Sequence, residues 1–150
     1  MSEILIYCDG ASRNNGKENS IGGWGAILIY GTHKKEIYGA EIGATNNQME
    51  LTGMIKSLEC IKTTNIPIKI MCDSAYVVNG INQWVKDWKK RSWKKGDGKT
   101  PENIELWKRL DELVSMQKDI KIIKVRGHAD NDGNNRADEL ANIAMDEVDT

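Results

Sequence analysis

Two stretches of the chain share one arrangement. ILIYCDGA, residues 4–11, and IKIMCDSA, residues 68–75, each run from apolar strand formers into Cys-Asp, a small residue and Ala. The echo sets Asp9 and Asp73 at equivalent strand ends, and if the two strands are parallel neighbours their carboxylates are adjacent. Two further acids stand in polar surroundings: Glu50 in TNNQMEL and Asp138 in NNRADEL. Singly, each has an ordinary role. Asp9 or Asp73 can begin a turn, Glu50 three residues after Asn47 fits a capping box, and Asp138 in the first turn of a last helix suits the helix dipole. Together they imply more, because open α/β sheets place their sites outside the carboxyl ends of the strands. Carboxylates gathered at one point repel unless a cation neutralises them. Hard oxygen donors with no converging Cys or His favour Mg²⁺ or Mn²⁺ over zinc. Two such ions about 4 Å apart activate a water and stabilise the leaving oxygen of a phosphodiester in an in-line displacement. The chemistry expected is phosphoryl transfer on a nucleic acid.

The elements that must position these acids follow from the hydrophobic periodicity. Residues 4–8 and 24–30 are apolar strand formers, and GTHKKEIYGAEI, residues 31–42, alternates behind a Gly turn as a hairpin partner. From Asn47 the spacing of Leu51, Met54, Ile55, Leu58 and Ile61 predicts an amphipathic helix that ends before Pro67. IKIMC, residues 68–72, is a strand, and residues 74–88 read as short helical pieces. Residues 101–116 form a helix with Pro101 in its first turn. Residues 120–125 are a strand and residues 134–148 a closing helix. The order β-β-β-α-β-α-β-α predicts an α/β domain in which an antiparallel hairpin precedes parallel crossovers. Alternation along the strands turns Cys8 and Cys72 away from the aspartates, as core filler.

Bulk properties narrow the field. A chain of 150 residues with 39% hydrophobic and 29% charged residues is expected to form one domain spanning 1–150 with a real core. No apolar run is long enough for a membrane span. The N-terminus carries Glu3 where a signal peptide needs cations, and the three cysteines are odd in number without CxxC spacing, so a reducing cytoplasm is expected. No surplus apolar stripe suggests an interface, which favours a monomer. The formal net charge of −1 argues against a protein that coats nucleic acid throughout, yet KDWKKRSWKK, residues 86–95, packs six cations and two tryptophans into ten residues. Lys86, Lys89, Lys90, Arg91, Lys94 and Lys95 can neutralise phosphates, while Trp84, Trp88 and Trp93 offer flat surfaces to sugars or bases. Trp84 and Trp88, four apart on a helix, should include a buried member, leaving Trp93 as the exposed one. Of the two histidines, His33 sits in a hairpin turn as a surface residue, and His128 lies in a Gly-, Asn- and Asp-rich loop where it can shuttle protons or help product leave.

CDGAS, TNNQMEL, CDSAYV, QWVKDWKKRSWK and VRGHADNDGNNRADELA, in this order from about residue 3 to residue 145, resemble the motif set of prokaryotic ribonuclease HI in its single-domain form. The resemblance implies a ribonuclease H-like five-stranded mixed sheet with helices on both faces. It implies metal-dependent endonucleolytic hydrolysis of the RNA strand of RNA/DNA hybrids, leaving 5′-phosphate and 3′-hydroxyl ends. Asp9, Glu50, Asp73 and Asp138 match the family's metal-binding carboxylates, holding two ions with substrate bound, and His128 matches its loop histidine. The basic segment matches the protrusion that grips the DNA strand through Trp84, Lys89, Lys90, Arg91, Trp93 and Lys94. Asn15, Asn46 and Asn47 match hydroxyl-reading asparagines, with Gln48 beside them and Thr45 in a pocket for a DNA phosphate. The chain departs from many relatives in having Ala75 where they carry Gln, and in the proline-free NNGKENS, residues 14–20, after the first motif. Two rival readings are a resolvase- or transposase-like nuclease of the same fold and a catalytically silent hybrid-binding module.

Overall fold

The computed structural model describes residues 3–126 and 132–148. Strands β1 (Ile4–Arg13), β2 (Ile21–Tyr30), β3 (His33–Ile42), β4 (Ile68–Cys72) and β5 (Ile120–Lys124) form one sheet in the order β3-β2-β1-β4-β5. β1, β2 and β3 pair antiparallel, while β1–β4 and β4–β5 are parallel, as the hairpin-then-crossover order requires. The helices among the described residues are α1 (Asn46–Glu59), α2 (Ala75–Asn79), α3 (Val85–Lys90), α4 (Ile104–Ser115) and α5 (Asp132–Val148). A single π-helical turn, Gly80–Trp84, joins α2 to α3.

Helices cover both faces of the sheet. A side chain added at Gly22 would meet Met49 of α1, and one at the next residue, Gly23, would meet Ala141 of α5, so neighbouring residues of β2 face helices on opposite sides. The core between α1, α4 and the sheet is built of Ile6, Ile70, Leu51, Met54, Leu58, Trp107 and Leu110, each at most 2% exposed. Each such side chain contributes about 1.5–3 kcal/mol of transfer free energy. On the other face, Arg136 of α5 holds both carboxylate oxygens of Glu36 on β3 at 2.7 and 3.0 Å. No helix among the described residues is long and apolar enough to cross a membrane.

Three boundaries differ from expectation. α4 starts at Ile104, so Pro101 stands before the helix rather than in its first turn, and Asn103 occupies the N-cap in the left-handed region (φ 58°, ψ 32°). α1 is capped by Thr45, whose side chain accepts from the Gln48 N–H while the Gln48 side chain accepts from the Thr45 N–H. Glu50 is therefore outside the capping box and free for another role. α5 begins at Asp132, which puts Asp138 beyond its first turn and removes the dipole explanation for that acid.

Candidate active site

The parallel β1–β4 ladder ends on the pair Cys8↔Cys72, so the next residues, Asp9 and Asp73, leave the ladder side by side. β4 stops there, whereas β1 continues to Arg13 against β2, pairing Asp9 with Gly25. Asp9 is thus mid-strand rather than at a strand end. The sheet splits at this point, and the gap is the cleft.

α1 brings Glu50 into it. The Gly10 N–H donates to Glu50 Oε1 at 2.6 Å and is also 2.9 Å from Asp9 Oδ1. A Cβ at Gly10 would lie 2.3 Å from both the Glu50 nitrogen and the Met49 carbonyl carbon, so only glycine allows the helix this close to the strand. α5 supplies Asp138 from the other face, near enough to Asp9 to help raise its carboxyl. The cleft is lined by Asp9, Gly10, Asn46, Glu50, Asp73, Ser74 and Asp138, which brings together all four carboxylates named from the sequence.

Asp9 and Glu50 are each only 7% exposed. Burial pushes the Asp9 carboxyl from 3.8 up to about 10, with the hydrogen bond and charge of Glu50, the charge of Asp73 and the hydrogen bond to Asp138 acting in the same direction. Burial likewise raises Glu50 from 4.5 to about 8, aided by charge at Cys72 and Asp73 and opposed by the hydrogen bonds from Asp9 and Gly10. Asp9 and Glu50 titrate as a pair, and burial with mutual charge lets the pair retain a proton above neutral pH. Acids crowded until they retain protons above neutral pH fit a divalent cation, which replaces those protons and favours ionisation.

Among the described residues, an oxygen of Glu50, an oxygen of Asp73 and the sulfur of Cys72 lie within 4.8 Å of one another. Cys72 Sγ is 3.9 Å from Glu50 Oε2 and fully buried. It belongs to the core, as expected of both cysteines, and from there it also touches Glu50. Cys8, its register partner on β1, is inert: its hydrogen bond with Cys72 and its burial hold its thiol well above the usual range.

A polar groove adjoins the cleft at Asn46 and is lined by Asn15, Gly16, Thr45, Asn46, Asn47, Gln48, Glu102 and Asn103. Asn15 reaches it from the 14–20 loop, where its Oδ1 accepts from the Asn46 N–H at 3.0 Å. The groove leads through Glu102 into an aromatic pocket lined by Tyr76, Trp84, Trp88, Lys95 and Pro101.

The protrusion residues are placed less uniformly than expected. Trp84, Trp88 and Trp93 are all half-buried, and the fully buried indole is Trp107 of α4. Trp84 and Trp88 both pack against Trp107, at centroid distances of 6.4 and 5.7 Å. Trp93 is not the freely exposed member, since it packs against the core under Lys108, whose Nζ is 5.8 Å from its ring. Lys89 is ion-paired with Asp111 at 3.1 Å and Lys94 donates to Thr100 Oγ1 at 2.9 Å, while Lys90 and Arg91 are exposed. His128 lies outside the described residues. Sequence reasoning missed Gly10, Tyr76, Glu102 and Asn103. Asn103 gave no signal, because a helix expected from Pro101 places it inside the first turn rather than at the N-cap.

The chain matches the family model described as RNase H over residues 1–146. It is 50% identical over 148 residues to the ribonuclease H of Clostridium botulinum, covering 98% of each chain. Among solved structures it is similar to LC9-RNase H1, a type 1 RNase H with the type 2 active-site motif, with TM-score 0.85, 29% identity, and coverage of 98% of this chain and 74% of that one. The fold is also that of LC11-RNase H1, solved in complex with RNA/DNA hybrid, with TM-score 0.74, 21% identity, and coverage of 99% and 100%. The chain belongs to the ribonuclease H family, metal-dependent endonucleases that hydrolyse phosphodiesters.

Proposed function

We propose that the protein cleaves the RNA strand of RNA/DNA hybrids endonucleolytically, leaving 5′-phosphate and 3′-hydroxyl ends. The observation that carries this reading is the continuous track from the four-carboxylate cleft, through the amide-lined groove, to the aromatic and basic protrusion. A hybrid presents scissile RNA to the first and a DNA backbone to the last, with 2′-hydroxyls within reach of the amides between. The similarity to LC11-RNase H1, which was solved with such a hybrid, supports the same substrate.

Asp9, Glu50, Asp73 and Asp138, which line the cleft together, are the residues that would hold two divalent cations, Mg²⁺ or Mn²⁺. Bound there, the cations supply the charge that lets the acids ionise together and the Lewis acidity that activates the attacking water and the leaving oxygen. Gly10 fixes the Glu50 carboxylate by its N–H, so this acid does not reorganise during reaction. Attack at phosphorus in line with the bond to O3′ breaks that bond, which accounts for the proposed ends. Asn15, Asn46, Asn47, Gln48 and Thr45 orient the hybrid. Lys90 and Arg91, with Lys89, Lys94, Trp84 and Trp93, hold the DNA strand, and His128 carries a proton away or assists product release.

The test is incubation of the purified protein with end-labelled hybrid, single-stranded RNA, double-stranded RNA and duplex DNA, each with Mg²⁺, with Mn²⁺ and with chelator. Metal-dependent cuts confined to the RNA of the hybrid are expected. Binding without cutting would make it a silent binding module, and cutting of duplex DNA with hybrid spared would make it a different nuclease of this fold.

A further inference from the structure

Tyr76 stands three residues beyond Asp73, on α2, and its hydroxyl receives two hydrogen bonds from α4 and its cap. Trp107 Nε1 donates to it at 3.2 Å and Asn103 Nδ2 donates to it at 3.2 Å. Trp107 is fully buried, so its indole N–H must find a partner inside the protein, and that requirement fixes the hydroxyl from the core side. The ring is fixed as well, against Trp84 at 5.7 Å and Trp107 at 5.3 Å.

The second bond leads outward. Asn103 lines the polar groove, in the left-handed region at the start of α4, and its side chain makes no capping bond to that helix. Asn tolerates this conformation better than most residues, but an N-cap Asn that leaves its helix uncapped has its amide committed elsewhere. Its Oδ1 faces Gln48 Nε2 at 3.4 Å, and Gln48 Oε1 in turn accepts from the Thr45 N–H at 2.9 Å. One chain of bonds thus runs from a buried indole through Tyr76 and Asn103 to Gln48 and Thr45 at the groove wall.

We infer that Tyr76 is a positioning residue for this groove. Its hydroxyl sets the orientation of the Asn103 amide, and through it that of Gln48, so that the groove is ordered before a nucleic-acid strand arrives. Preorganisation of this kind is expressed in substrate binding. Among the described residues, no side chain of the carboxylate cleft bonds to the Tyr76 hydroxyl, so the chemical step is spared. This rests on the groove being a substrate-binding surface, as proposed above.

The experiment compares Tyr76→Phe, Asn103→Ala and the double variant in steady-state hydrolysis of a hybrid. Tyr76→Phe retains the ring and its packing and should raise KM about 3- to 10-fold, the effect of one hydrogen bond, with kcat within about 2-fold of the parent. In the Asn103→Ala background, Tyr76→Phe should raise KM no further. An unchanged KM in Tyr76→Phe, a fall in kcat alone, or an undiminished effect in the Asn103→Ala background would overturn the inference. A second readout is independent of activity: the Asn103 side-chain amide signal in the NMR spectrum should shift and broaden in Tyr76→Phe, and an unmoved signal would also overturn it. A parent protein that leaves hybrids intact would refute the substrate reading, and the amide signal would still decide the role of Tyr76.

Discussion

Gly10 and Glu50, forty positions apart in the chain, are joined by a 2.6 Å hydrogen bond from the glycine N–H to the carboxylate, and the contact exists because no Cβ separates strand from helix. The bond fixes an acid of the cleft and the distance between α1 and β1 at once. Gly10→Ala sets a methyl 2.3 Å from the Glu50 nitrogen and so must push the helix outward. Overpacking of this kind costs about 1–3 kcal/mol. The variant should melt lower and lose on the order of 100-fold or more in kcat, since small misplacements of catalytic groups are costly. Circular-dichroism melting with hybrid cleavage checks both, and a fully active Gly10→Ala would show that Glu50 does not depend on this approach.

The pH dependence of the metal-free protein follows from Asp9. In the unfolded chain its carboxyl ionises near 3.8, whereas in the fold burial holds the proton up to about 10. The unfolded state is therefore favoured increasingly as pH rises between these values, and folding stability conferred at low pH is lost across that window. Asp9→Asn, which cannot ionise, should abolish activity yet raise stability in chelator at pH 8 by on the order of 2–4 kcal/mol, with little gain at pH 4. Added Mg²⁺ should stabilise the parent more at pH 8 than at pH 6, because binding displaces protons. Denaturant titrations at these pH values decide it. An Asp9→Asn protein no more stable than the parent at pH 8 would refute the buried-proton account.

The order of elements was legible because apolar spacing alone separates strands from helices, and the Cys-Asp echo was legible because parallel register turns a repeated motif into adjacent side chains, as Cys8↔Cys72 shows. What lay hidden depends on partners distant in the chain. Thr45 and Asn47 are both competent N-caps, and only the reach of Gln48 back to Thr45 decides between them. The spacing of Trp84 and Trp88 promised one buried indole, but Trp107 arrives from α4 and takes that place, leaving both half-buried. Lys89 looked free in a run of cations until Asp111 came alongside.

Cys72 touches Glu50 from the core. Its sulfur is fully buried, 3.9 Å from Glu50 Oε2, so Cys72→Ala opens a gap under the carboxylate that the packed strands cannot close. A stability loss of about 1–2 kcal/mol is expected, together with a several-fold weaker apparent affinity for Mg²⁺ in cleavage. Cys60, half-buried at the end of α1 and remote from the cleft, serves as the control, and Cys60→Ala should leave the Mg²⁺ dependence unchanged. Equal behaviour of the two variants in a Mg²⁺ titration would remove Cys72 from the site.

On the proposed reading the basic segment grips its strand through charge, and its members should not contribute equally. Lys90 and Arg91 are exposed, whereas Lys89 already faces Asp111 at 3.1 Å. An exposed pair of this kind is weak, so Lys89 can still turn to a phosphate, but it surrenders the pair in doing so. Replacing Lys89, Lys90 and Arg91 together by Ala should weaken hybrid binding about 10-fold or more at low salt and flatten the slope of log K against log salt by about 1–2 units, with metal binding unaltered. Lys89→Ala alone should cost less than Lys90→Ala or Arg91→Ala. Asp111→Asn should tighten binding slightly by releasing Lys89. Fluorescence-anisotropy titrations of a catalytically inactive Asp9→Asn background over a range of salt concentrations measure the binding changes, Mg²⁺ titrations with Asp9 intact check the metal, and an unchanged slope in the triple variant would mean that the cations at 89–91 do not meet phosphate.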